Sequence, residues 1–360
     1  MLAVVVVADV MPAQPPGQVF MGMLVLLLGL LSLVVWAWLI ACWSRKEEPI
    51  PFVPRRNVPW RFVEVAVVVG FVLFSTISAA AMPQEPEEPM TPDDFSRRLV
   101  ASAAFYLVLA GAVALFLLVI RRANARDMGW NMKLPGDLLY GGFGFVSAVL
   151  PVYLLQILLV QVFEKARQQH PLIEMLRAER RIDLLVMAVF TAVVVAPLVE
   201  EFLFRVLLQG WLEKAVAPDV EPIEAEIVGP VGGEGDALLI EPQAWGEPLA
   251  VQPYAESHVD SPGDALNAYA SPQVDLGPRI DANSLQPGDV GFLRMWLPIA
   301  ISAVLFASAH AGTWPDPVPL FMLALALGYV YRQTHRLWPS VVLHMIFNGL
   351  ALAMVWFGSD

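Results

Sequence analysis

Three short stretches hold the side chains whose types and spacing can do chemistry. The first is Val193–Val206, which carries Glu200, Glu201 and Arg205 among apolar residues. The second, Val304–His310, carries Phe306 and His310. The third, Trp338–Asn348, carries His344 and Asn348. Glu201 and Arg205 are four apart, so on a helix they share a face and can pair. Glu200 then points about 100° away and has no partner in its own helix. A carboxylate spared from pairing suits general-base work. Phe306 with His310, and His344 with Asn348, repeat the four-residue spacing. An imidazole and an amide on one face can donate two hydrogen bonds to a developing oxyanion. They can equally form an interhelical polar clasp. Peptide-bond hydrolysis needs a base for water, a group to steady that water, and an oxyanion hole, and this inventory supplies them. It also fits a Glu/His/His zinc site, because His and carboxylate are zinc ligands. Sequence spacing does not separate the two.

The elements that must position these groups are membrane helices. Of the 360 residues, 57% are hydrophobic and 16% charged, a shift toward lipid relative to soluble domains. Eight stretches read as spans of roughly 20 apolar residues, the length that about 30 Å of hydrocarbon requires. They are Val19–Trp43, Phe62–Ala81, Leu99–Ile120, Leu138–Val162, Asp183–Lys214, Phe292–Ala311, Val318–Tyr331 and Leu337–Phe357. Lipid offers no partner to exposed backbone groups, so each is expected to be helical. The fold class is therefore all-α, a polytopic transmembrane bundle. A charge near the middle of a span costs at least ~2.5 kcal/mol, so Glu200, Glu201 and Arg205 need a reason to be there.

Basic residues set the expected orientation. Arg45, Lys46, Arg55, Arg56 and Arg61 follow the first span. Arg121, Arg122, Arg126 and Lys133 follow the third, and Arg332 and Arg336 the seventh. These three loops are placed in the cytoplasm, with Gln84–Asp94 and the N-terminus outside. Phe163–Ile182 is also basic, and eight spans put it outside. Its mixed charges around Leu172, Ile173 and Leu176 fit an interfacial amphipathic helix, and a different span count is the other explanation. The N-terminus lacks a basic leader and reads as a retained span rather than a cleaved signal peptide. Depth is a conflict. Glu200 and His310 fall ~21–24 Å from the end of their helices nearest residues 217–290. His344 lies only six residues past Trp338, a depth that matches theirs only if the helices tilt or the seventh span is shallower than its stated bounds.

The net charge of −12 has one source. Residues 217–290 contain fourteen acids and one base and carry −13, leaving the rest at +1. That segment is rich in Pro and Gly and is expected to be a disordered insertion. The single Cys42 rules out an intrachain disulfide and a Cys-based zinc site. The organisation expected is an N-terminal membrane region over 1–135, a core over 136–216 and 291–360, and the acidic insertion over 217–290.

In order, Glu200-Glu201-x-x-x-Arg205, Phe306-x-x-x-His310 and His344-x-x-x-Asn348 resemble the three motifs of the CPBP family. That family comprises type II CAAX prenyl proteases and bacteriocin-processing and immunity membrane proteins. The resemblance covers about Asp183–Phe357 without the insertion, which is itself a departure because these motifs usually follow closely. It implies an intramembrane endopeptidase acting on membrane-associated proteins or peptides. By that resemblance Glu200 activates water with help from His310, and His344 and Asn348 form the oxyanion hole. Glu201, Arg205 and Phe306 support the site. No cofactor is required on this reading, with zinc as the alternative. The expected surroundings are the lipid bilayer and a membrane-anchored substrate in the cell (plasma or inner) membrane. Nucleic acid is not an expected partner. The competing function is a non-catalytic scaffold or immunity protein on the same fold. A transporter is a weaker third reading, because neither an internal repeat nor a paired broken helix is evident.

Overall fold

The computed structural model describes residues 16–55, 58–81, 91–163, 171–216 and 292–358. The acidic insertion, residues 84–90 of the predicted outer loop, and Arg56, Lys165 and Arg167 lie outside the described residues. Every regular element among those described is helical. We number them α1 (Pro16–Ser44), α2 (Phe62–Ala81), α3 (Pro92–Val119), α4 (Gly136–Val162), α5 (Pro171–Ala178), α6 (Ile182–Val216), α7 (Phe292–Ser308), α8 (Pro317–Thr334) and α9 (Leu337–Gly358). Helices α1, α3, α4, α6 and α9 are long and apolar enough to cross a membrane, and Phe62–Phe74 and Met295–Ser308 are shorter apolar segments. The molecule is a helical membrane bundle.

Each end of the bundle is tied by its loops. At one end the three basic loops meet one another and the end of α6. Lys214 donates to the Val58 carbonyl at 2.6 Å, and the Leu337 amide donates to the Gly129 carbonyl at 2.9 Å. Arg336 pairs with Asp137 at 2.9 Å, and Glu213 with His335 at 2.9 Å. The sequence expectation that these loops share a side agrees with these contacts. At the other end lies α5, the helix expected within Phe163–Ile182. It buries Leu176 with Phe95 at the start of α3, Leu184 of α6 and Leu352 of α9. Helix α3 starts there because Thr91 caps it, its hydroxyl accepting from the Asp94 amide at 3.2 Å, with Pro92 in the first turn.

Helix α6 is one continuous rod with two π-wound stretches, Val189–Val195 and Phe202–Gln209, on either side of an α segment at Ala196–Glu201. Helix α9 runs against α4 at very short range. A Cβ built on Gly141 would sit 2.7 Å from the Pro339 carbonyl oxygen and 2.6 Å from Val342, and one on Gly144 would sit 2.6 Å from Leu343. Only glycine permits that approach, and it fixes the position of the helix carrying His344 and Asn348. Gly142, one residue away, has open space around it. Gly141→Ala is therefore expected to cost ~1–3 kcal/mol by overpacking, and Gly142→Ala should leave stability unchanged. Thermal melts in detergent distinguish the two.

Candidate active site

The site is built on the middle of α6. Glu201 and Arg205 are fully buried and paired, Arg205 Nε lying 3.1 Å from Glu201 Oε2. Burying two charges costs several kcal/mol per ion unless other groups satisfy their remaining valences. Here other helices supply most of them, although Arg205 Nη2 is buried without a hydrogen-bond partner among the described residues. Arg205 Nη1 donates to Ser302 Oγ of α7 at 2.9 Å, and that hydroxyl donates to the Phe204 carbonyl at 2.9 Å. The guanidinium also lies 5.4 Å from the centroid of the Phe306 ring, where the negative ring face attracts a cation. Glu201 Oε1 is met by His344 Nδ1 of α9 at 3.0 Å. With Arg205 holding Glu201 as a carboxylate, the imidazole nitrogen is the donor. This fixes the ring and turns Nε2 toward Glu200, whose Oε2 is 3.9 Å away. That spacing suits an ion pair but is too long for a hydrogen bond.

The two adjacent carboxylates thus have different surroundings. Glu201 has no exposed surface, while the Glu200 side chain keeps 14% of its surface open. The expectation that Glu201 pairs with Arg205 and Glu200 does not is met. A single step along one helix, about 100° of rotation, separates a sealed carboxylate from a partly exposed one.

The expected depth conflict for His344 does not occur. The Glu213–His335 pair marks a common level on α6 and at the start of α9. Glu201 is twelve residues from Glu213, and His344 is nine from His335. At ~1.5 Å per residue those are ~18 and ~14 Å. The stretch Phe202–Gln209 lies within the longer path, and its wider i→i+5 turns shorten it. The sequence estimate measured depth from Lys214 and Trp338 as if they were level, and assumed α-helical rise throughout.

His310 also differs from expectation. Helix α7 ends at Ser308 rather than continuing to Ala311, and His310 sits in the following turn. Its ring still lies 5.0 Å from Phe306, and Nδ1 is 2.9 Å from the Phe306 carbonyl. The carbonyl only accepts, so Nδ1 carries a proton and Nε2 is the ring nitrogen left to face other groups. The single hydroxyl hydrogen of Thr76 on α2 is shared between the Val72 carbonyl at 2.9 Å and the Ser308 carbonyl at 3.1 Å. The His310 side chain thereby satisfies the Phe306 carbonyl that the helix end leaves open, while the Ser308 carbonyl also accepts from the Ala311 amide at 3.1 Å. Phe306, fully buried, is the hub: His310, His344 at 5.7 Å, Phe204 at 5.3 Å and Arg205 all touch its ring.

Asn348 lies one turn beyond His344. Its side-chain N–H donates to the Ala192 carbonyl of α6 at 2.8 Å. The interhelical clasp foreseen from sequence is therefore present, and it engages one of the two amide hydrogens. Tyr106 of α3 lies within electrostatic reach of Glu200. Ser302, Thr76 and Tyr106 were not legible as site residues, because isolated hydroxyls are ordinary in membrane helices. Among the described residues no group of three His, Cys, Asp or Glu side chains is arranged to hold a metal ion. Glu201 and the Nδ1 atoms of both histidines are already engaged by protein groups.

Arg205→Ala would leave Glu201 buried beside only His344. We expect a loss of ~3–5 kcal/mol. Glu200→Gln, at the open carboxylate, should shift the melting temperature little. Equal losses in the two variants would contradict this division.

Comparison with known families gives one match. A family model described as type II CAAX prenyl endopeptidase Rce1-like covers residues 284–350. The interval contains Phe306, His310, His344 and Asn348, whereas Glu200, Glu201 and Arg205 precede it. Comparison with curated proteins and with solved structures gave no match. Over the segment that carries its second and third motifs, the chain is thus similar to the Rce1-like type II CAAX prenyl endopeptidases, in keeping with the CPBP family.

Proposed function

We propose that the protein is an intramembrane endopeptidase that hydrolyses a peptide bond of a membrane-associated protein or peptide, with Glu200 as the general base. The observation that carries this reading is the bracketing of His344 by two unlike carboxylates, one sealed and one with 14% of its side-chain surface open. The family match supports a peptidase at the level of the family.

In the proposed reaction Glu200 takes a proton from a water molecule, and the hydroxide adds to the scissile carbonyl carbon. His310 offers Nε2 to orient that water, because its Nδ1 is held on the Phe306 carbonyl. The carbonyl π electrons move to oxygen, and the oxyanion receives hydrogen bonds from His344 Nε2 and the free Asn348 N–H. For His344 to donate there while Nδ1 stays on Glu201, the ring must carry both protons. Glu201 supplies the opposing charge throughout, and Glu200 adds to it until it takes the proton from water. Collapse of the adduct breaks the C–N bond, and the proton held by Glu200 passes to the leaving amine. No step needs a metal ion, and zinc dependence is the alternative that chelation tests. We assign the protein to the cell (plasma or inner) membrane on this reading.

Purified protein in detergent, offered membrane-anchored peptides with and without a prenylated C-terminal cysteine, is expected to cleave one class. Glu200→Ala should abolish cleavage. His344→Ala and Asn348→Ala should each lower kcat by about 10²–10³, the usual cost of an oxyanion donor. Activity is expected to survive exhaustive chelation. Cleavage that persists in Glu200→Ala overturns the assignment. Loss on chelation with recovery on added zinc overturns the metal-free mechanism. If the wild-type protein cleaves neither class, the scaffold reading on the same fold is favoured.

A further inference from the structure

The Asn348 amide bonds to a carbonyl in the interior of another helix. Helix-interior carbonyls are normally taken by an amide four residues on, and unsatisfied buried carbonyls are rare. Ala192 is an exception with two local causes. Its α-helical donor would be the Ala196 amide, but that amide bonds to the Thr191 carbonyl instead, in the wide register of Val189–Val195. The donor that would serve Ala192 in the same wide register is the amide of residue 197. Residue 197 is a buried proline and has no N–H. Both in-helix donors are therefore missing, and the Asn348 side chain fills the gap from α9 at 2.8 Å.

We infer that Pro197 is a positioning residue: by leaving the Ala192 carbonyl without a donor from its own helix, it fixes the orientation of the Asn348 amide. The inference rests on the proposed role of Asn348 at the oxyanion. An amide with one hydrogen held this way has its other hydrogen and its rotamer determined. A replacement that restores an N–H at 197 gives Ala192 an internal donor in either register. The amide of residue 197 serves it if the turn stays wide, and the Ala196 amide serves it if the turn relaxes to α. Asn348 is then released, while α6 gains a hydrogen bond. The signature is thus a gain or no change in stability together with a loss of turnover, which a proline of merely structural value would not give.

The test uses the full-length protein in detergent and has two arms. In the stability arm, Asn348→Leu is measured with Pro197 and with Pro197→Ala in a double-mutant cycle. With Pro197, the substitution leaves a buried carbonyl unsatisfied and is expected to lower Tm by about 2–4 °C or more. With Pro197→Ala the same substitution should lower Tm by less than about half as much. In the activity arm, Pro197→Ala should reduce kcat about 10- to 100-fold, the scale for a small misplacement, with KM unchanged on the peptide that the wild-type protein cleaves.

Equal Tm losses in the two backgrounds overturn the inference. So does a cycle that shows coupling while kcat is unchanged. If Pro197→Ala gives no cooperative melt, the cycle is repeated with Pro197→Gly, which restores the same N–H. Failure of both to fold overturns the inference by making Pro197 a folding requirement. A wild-type protein without cleavage removes the proposed oxyanion role, while the stability arm still reports the Pro197–Asn348 contact by itself.

Discussion

A buried guanidinium cannot be left unpaired in hydrocarbon, and much of this bundle is organised around satisfying Arg205. Glu201 neutralises it from the same helix, and the Ser302 hydroxyl and the Phe306 ring meet it from α7. Glu201 in turn takes the imidazole of His344 from α9. One requirement, that no buried charge lack partners, therefore brings three helices to a common point. Removing any member exposes the others to the low-dielectric interior. The close packing of α9 on Gly141 and Gly144 allows the chain of contacts to close.

The same cluster separates two neighbouring carboxylates. Adjacent residues on a helix point about 100° apart, so Glu201 can be enclosed while Glu200 stays at an accessible edge. Glu200 and Glu201 lie on opposite nitrogens of one imidazole, at 3.9 and 3.0 Å. The enclosed carboxylate orients the ring, and on the proposed reading the accessible one acts as the base. Its parts come from both sides of the acidic insertion in the sequence. The Rce1-like match covers only the later part, so the association of Glu200 with that segment rests on the geometry of the helices.

Local pairings were legible in the sequence because they depend only on helical period. The Glu201–Arg205 pair and the contact of Phe306 with His310 follow from a four-residue spacing. The apolar stretches became helices close to their expected bounds because backbone in lipid has no other way to satisfy itself. What failed depends on the relative level of the helices and on departures from regular winding. The common level lies at the Glu213–His335 pair rather than at Lys214 and Trp338, which removes most of the depth mismatch of His344, and the π-wound rise along Phe202–Gln209 removes a smaller part. Helix α7 stops before His310, at a point followed by Gly312, Pro315 and Pro317, and that stop was placed three residues late. Pro197 was visible in the sequence. Its consequence, an acceptor in α6 matched to a donor in α9, required knowing that Ala196 bonds to Thr191.

The central claim is that Glu200 delivers water to the scissile carbonyl. A single turnover in H₂¹⁸O, with enzyme in excess over a membrane-anchored peptide, tests it most directly. The account predicts one ¹⁸O atom in the newly formed peptide carboxylate and no label in the Glu200 side chain. Product formed in that first turnover without ¹⁸O, with label appearing in Glu200 instead, would mean that the carboxylate attacks the peptide itself and would contradict the account.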